Sequence, residues 1–205
     1  LPKFAHPEYV LDSWFLDQLT YFPYFFGERF AYTLYLTGGW GALNQAHLNP
    51  PSSTAEILNP ELYLKRFQPI YPQNPTPPSS GWCIYYPDVL GAYFFNLFLT
   101  RALGSEDALR TSSYWLGDNS TLYLTDKDHL LYWQIDLGDV EQAETIKQML
   151  KHSLFKEAPI EGEIIQIEGK YITILNQGAK LLLVSASNSI LALESLRDLN
   201  SKGFI

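Results

Sequence analysis

The 205 residues contain one cysteine, Cys83, so no disulfide can close within the chain. Its neighbours, Trp82 and Ile84-Tyr85-Tyr86, are apolar, which predicts a buried and unreactive thiol. A nucleophilic thiol needs a histidine beside it, and His6, His47, His129 and His152 stand at no motif spacing from it. Basic residues are also scarce. Lys and Arg total 14 against 22 Asp and Glu, a net charge of −8, and they are scattered instead of forming a stripe interleaved with aromatics. That pattern argues against nucleic acid as a partner. There is no run of about 18 apolar residues, so no membrane span is expected; the longest stretch, 89–99, is interrupted by Asn96 and reads as a buried helix. Catalytic signatures are missing too: no H-E-x-x-H, no Gly-rich phosphate loop, no G-x-S-x-G and no Cys/His metal spacing. These absences exclude the commonest self-contained hydrolases and nucleotide enzymes, and no metal or cofactor is expected. The chain opens on Leu1 and not on Met, which reads as a product of processing or excision without a remaining signal peptide.

What is abundant is apolar and aromatic. Hydrophobic residues make up 46% and aromatics 15%, ample for a core. Residues 8–19 and 24–36 read as two apolar helices split at Pro23, whose ring and missing N–H break a helix. The second should stop at Gly38-Gly39, before a short helical turn over 40–47. Ser53 and Glu56 have capping-box spacing, and Asn59-Pro60 reads as an N-cap followed by proline at the first helical position, leading to Tyr63. Five prolines between Pro69 and Pro78 mark residues 69–80 as a linker or long surface loop.

Beyond it the spacing predicts a strand at 82–86, a helix at 90–103, strands at 121–125 and 130–136 joined by an Asp126-Lys127-Asp128 hairpin, and a helix at 140–154 with Asp139 as N-cap. Strands at 163–168, 171–175 and 181–184 and a helix at 189–199 repeat the plan, with Ile165, Ile167, Ile172 and Ile174 alternating with polar residues. The expectation is an α+β protein: a helical scaffold segment (1–68), the Pro-rich segment (69–80), and a mostly antiparallel sheet with helices packed on one face (81–205).

Candidate chemistry is thin. Glu28, Glu56, Glu61, Asp88 and Asp118 are available as a carboxylate pair for a small glycosidase-like hydrolase with an aromatic cleft, since such acids come from distant positions. Trp40, beside three glycines, reads first as a core anchor under a tight turn and second as an exposed stacking platform. Gly117-Asp118-Asn119 reads as turn chemistry before a cation site. The Pro-x-x-Pro pairs at 69–75 allow a third reading, a partner-binding proline segment.

Three blocks carry a likeness: Phe22-Pro23-Tyr24-Phe25-Phe26-Gly27-Glu28-Arg29-Phe30; Leu36-Thr37-Gly38-Gly39-Trp40; and the segment from Pro50-Pro51-Ser52-Ser53-Thr54 through Asn59-Pro60-Glu61-Leu62-Tyr63. They resemble the region downstream of the active site in a family of bacterial, mostly uncharacterised, zinc-metallopeptidase-like proteins, with a Tyr-x-x-Gly-x-x-Phe helix, then Gly-Gly-Trp, then a Pro-Pro-x-Ser-Thr-Glu-Gln-x-Leu-His-Pro-x-x-Tyr segment. A looser likeness runs to about residue 154, through Trp115-Leu116-Gly117-Asp118 and Tyr132-Trp133-Gln134-Ile135. Asn59 stands where that family has His, Ala55-Glu56 replaces Glu-Gln, and the zinc-binding helix is absent. The resemblance implies a non-catalytic, C-terminal or degenerate portion of such a protein, outside the cytoplasm (secreted, periplasmic or lipoprotein). It would act as a binding or structural module toward a protein or peptide partner, such as an N-terminal peptidase-like portion. On this reading Tyr24, Gly27, Trp40, Ser53, Asn59 and Tyr63 are binding or scaffold residues. Gly27 would let a neighbouring helix approach closely, with Tyr24, Phe30 and Leu34 beside it.

Overall fold

The computed structural model describes residues 13–154 and 163–204. They form the expected α+β chain, a helical segment followed by a six-stranded antiparallel sheet with helices. Two compact units are present. Among the described residues, one takes 13–52 with Glu56–Phe67, the other Ser53–Ala55 with 68–154 and 163–204.

The first unit is built on α1 (Ser13–Leu48), followed by α2 (Thr54–Leu58) at the division and by α3 (Pro60–Leu64). Pro23 does not split α1. It lies on an exposed side of the helix, where water can bond the carbonyl that proline leaves unpaired, so one lost hydrogen bond is tolerated. The break falls at Gly38 and Gly39 instead, and Gly39 (φ 59°, ψ −151°) holds a conformation essentially closed to other residues. Residues 8–12 of the first expected helix lie outside the described residues. Asn59 caps α3 as anticipated: its side chain accepts from Glu61 N (3.2 Å), with Pro60 next.

In the second unit the sheet runs in the order β1 (Cys83–Asp88), β2 (Gly117–Leu124), β3 (His129–Asp136), β6 (Lys180–Ala186), β5 (Lys170–Gln177), β4 (Ile165–Ile167), all neighbours antiparallel. Helices α4 (Gly91–Leu103), α5 (Ser105–Ser112), α6 (Val140–Leu154) and α7 (Ser189–Ser201) complete it. Strand alternation sorts the residues. Trp133, on one face, meets α4 through Phe94, Phe95 and Phe98, and α6 reaches the same face through Lys147 to Asn176 (2.7 Å). Leu130, Tyr132, Leu175, Leu182, Val184 and Ala186 point to the other face, where Leu191, Ala192 and Leu199 of α7 close the core, so helices lie on both faces of the sheet and not on one as expected.

The proline segment has no regular structure, yet it is laid along β2. Ile70 N donates to Leu116 O (2.8 Å), Asn74 Nδ2 to Asn119 O and Thr121 Oγ1 (2.8 and 3.0 Å), and Tyr123 Oη to Pro75 O (3.2 Å); Pro72 and Pro75 are buried. Gly117 is required at this crossing, because a Cβ there would sit 1.5 Å from the Ile70 carbonyl oxygen. Gly117-Asp118-Asn119 is therefore the start of β2 and not a turn. Cys83, expected inside, is exposed. It lies on the edge strand β1, every residue of which is exposed.

Candidate functional site

At 100° per residue, apolar side chains run most of the way round α1, and Leu16 and Leu19 are exposed on the same side as Phe30 and Leu34. Phe30 and Leu34 are buried, with the Phe30 ring 5.3 Å from that of Tyr63 in edge contact. On the opposite side Tyr21, Phe25, Tyr32 and Leu36 fall in one line, with Tyr24 and Tyr35 beside it, a stripe about 120° wide. All six are exposed. Asp17 and Glu28, also exposed, lie within the stripe. At the Gly38-Gly39 break the chain turns, and Trp40 comes to stand 5.7 Å from Tyr35, edge to face.

Tyr24 is 74% and Trp40 72% exposed, so Trp40 is a surface aromatic and not the core anchor of the first reading. Nothing lies within 4 Å of where a Gly27 Cβ would be, so the close approach that this glycine permits is unused within the described residues. The remaining residues serve local structure. The Tyr63 hydroxyl donates to Asn49 O (2.8 Å), Asn59 caps α3, and Glu56 Oε2 accepts from Ser52 N and Oγ (2.6 and 2.9 Å) at the entry to α2, where the Ser53 hydroxyl is buried. Of the six residues, Tyr24 and Trp40 are exposed aromatics, Gly27 lies on the same helix as Tyr24, Ser53 is buried at its hydroxyl, and Asn59 and Tyr63 make local hydrogen bonds.

Among the described residues of the second unit, Asp118 is the one fully buried carboxylate. It accepts four hydrogen bonds: Oδ1 from Gly91 N (2.9 Å) and Trp115 Nε1 (3.0 Å), Oδ2 from Leu90 N (2.9 Å) and Trp133 Nε1 (2.9 Å). Leu90, at the N-cap of α4, has no capping side chain, so a carboxylate from β2 caps that helix from across the fold, where the helix dipole favours negative charge. Burial pushes the Asp118 pKa up, while the four N–H donors pull it down. With its acceptor positions spent on the protein, the group is a structural hub without a free oxygen for a substrate. Among the other carboxylates considered for a hydrolytic pair, Glu61 is paired with Lys65 and Asp88 Oδ1 accepts from Val89 N.

No family model, curated protein or solved structure matches this chain. Its function has to be argued from its own residues. Among the described residues no group of three or more His, Cys, Asp or Glu is placed to hold a metal ion, and no helix is long and apolar enough to cross a membrane. The buried role of Asp118 escaped the sequence because its four donors come from residues 90, 91, 115 and 133; the only trace was the Trp115-x-x-Asp118 spacing.

Proposed function

We propose that this chain is a binding or structural module, the non-catalytic C-terminal or degenerate portion of a zinc-metallopeptidase-like protein, and that the stripe on α1 is its contact surface. The observation that carries this reading is the row Tyr21, Tyr24, Phe25, Tyr32, Tyr35 and Leu36, exposed opposite the buried pair Phe30 and Leu34. Contiguous apolar surface of that kind marks an interaction site, and burying each such side chain is worth about 1.5–3 kcal/mol. Asp17 and Glu28 within the stripe favour an apolar helix that also carries basic residues. In the resembling family the zinc-bearing helix neighbours the side carrying Gly27, Phe30 and Leu34, where Tyr63 now meets Phe30, so the proposed partner is a peptidase-like portion, attached or separate, that meets the stripe instead and acts outside the cytoplasm.

The test is proteolysis together with native mass. Purified chain is expected to leave casein intact with and without added zinc; chelator-sensitive cleavage would overturn the non-catalytic reading. In its source cells, a native product much larger than 23.4 kDa with H-E-x-x-H upstream makes the partner covalent, whereas a product of this size makes it a separate chain.

A further inference from the structure

An open cleft of about 460 Å³ lies in the second unit where the segment before β1, the β2–β3 hairpin and the start of α7 converge. One wall is Trp82, packed on its inner side against the α7-facing core, its Nε1 donating to Ser79 Oγ (3.2 Å). The rest of the lining carries polar groups of both kinds. Asp128 is held by Ser187 Oγ (2.6 Å) and Asn188 Nδ2 (2.7 Å), both on Oδ1, and its Oδ2 accepts nothing from the described residues. Glu194, exposed on α7, adds a second carboxylate. Donors come from the helix start. Asn188 Oδ1 takes Leu191 N (2.9 Å) and Asn188 O takes Ala192 N (3.2 Å), while the N–H groups of Ser189 and Ile190 meet no acceptor among the described residues.

We infer that this cleft binds a saccharide, stacked on Trp82 and hydrogen-bonded by Asp128, Glu194 and the Ser189 and Ile190 amides. An anion would face two carboxylates, and a bare cation could answer those carboxylates but would leave the amides at the start of α7 without an acceptor. A neutral ligand whose hydroxyls both donate and accept satisfies both sets, and the apolar face of a pyranose ring matches the indole. This inference is independent of the α1 reading.

The experiment follows the indole N–H signal of Trp82, assigned by Trp82→Phe among the five tryptophans, as the full chain labelled with ¹⁵N is titrated with cellotetraose, chitotetraose and maltotetraose. At least one sugar should move that signal saturably. Ser189→Pro tests the amide contact without removing the helix, since proline suits the first helical position and Asn188 already has the extended backbone that a following proline requires. Ser189→Pro and Glu194→Gln should each weaken binding roughly fivefold or more with the spectrum otherwise kept. No movement with any of the three sugars at about 10 mM, tenfold above a Kd near 1 mM, overturns the proposal. Movement by inorganic phosphate or ethanolammonium without any response to the sugars overturns the ligand class, and undiminished affinity in both variants overturns the site.

Discussion

Asp118 and Tyr132 are both fully buried polar residues, and they should differ sharply in how much a substitution costs. Asp118 answers four donors. In Asp118→Asn two of those N–H groups would face an NH₂, so chemical denaturation should show a loss of roughly 2–4 kcal/mol. The Tyr132 hydroxyl, with a pKa pushed up to about 12 chiefly by burial, lies by the Ser195 hydroxyl and neither makes a well-formed hydrogen bond. Tyr132→Phe keeps the ring that packs edge-on against Tyr123 and should change stability by less than about 1 kcal/mol, in either direction. His129 gives a pH signature. Burial, helped by Lys170 and opposed by Asp128, holds its folded pKa below the ordinary 6.5. Between those two values the unfolded chain binds the extra proton, so this contribution to stability is complete above 6.5 and is lost as pH falls toward the folded value. Denaturation midpoints measured from about pH 8 to about pH 5 should therefore fall less steeply in His129→Gln than in the parent.

At the scale of elements, what the sequence disclosed was whatever is decided locally. The helix over 140–154 was legible from its own periodicity and from Asp139, whose carboxylate accepts from Gln142 N (2.8 Å), and α3 from Asn59-Pro60. The break at Gly38-Gly39 was legible because glycine alone tolerates the required backbone. Pro23 misled, since whether proline ends a helix depends on which side faces water, and that is settled by packing. The exposure of Cys83 and Trp40 was hidden for the same reason: an apolar residue does not state whether anything covers it. Helix α5 went unread between Gly104 and the start of β2. Gly39→Ala should cost about 1–3 kcal/mol in a thermal or denaturant melt, through strain at the turn that brings Trp40 beside Tyr35.

For the whole chain, the sheet's assembly order matters more than any single contact. Strand β6 sits between β3 and β5, joining two groups that are complete earlier in the sequence: β1 with β2 and β3, and β4 with β5. Ending the chain at Gly178 should leave no cooperative unfolding transition by circular dichroism; a sharp transition would show that β1–β3 and their helices stand alone. The same topology bears on synthesis. Residues 69–76 leave the ribosome some 40 residues before the strand they lie along, and the two groups cannot be joined until β6, near residue 186, has emerged. At about 5–20 residues per second, the aromatic-rich first half waits several seconds for its seam, a window in which β1, exposed along its whole length even in the finished fold, is open to a chaperone or to a neighbouring nascent chain.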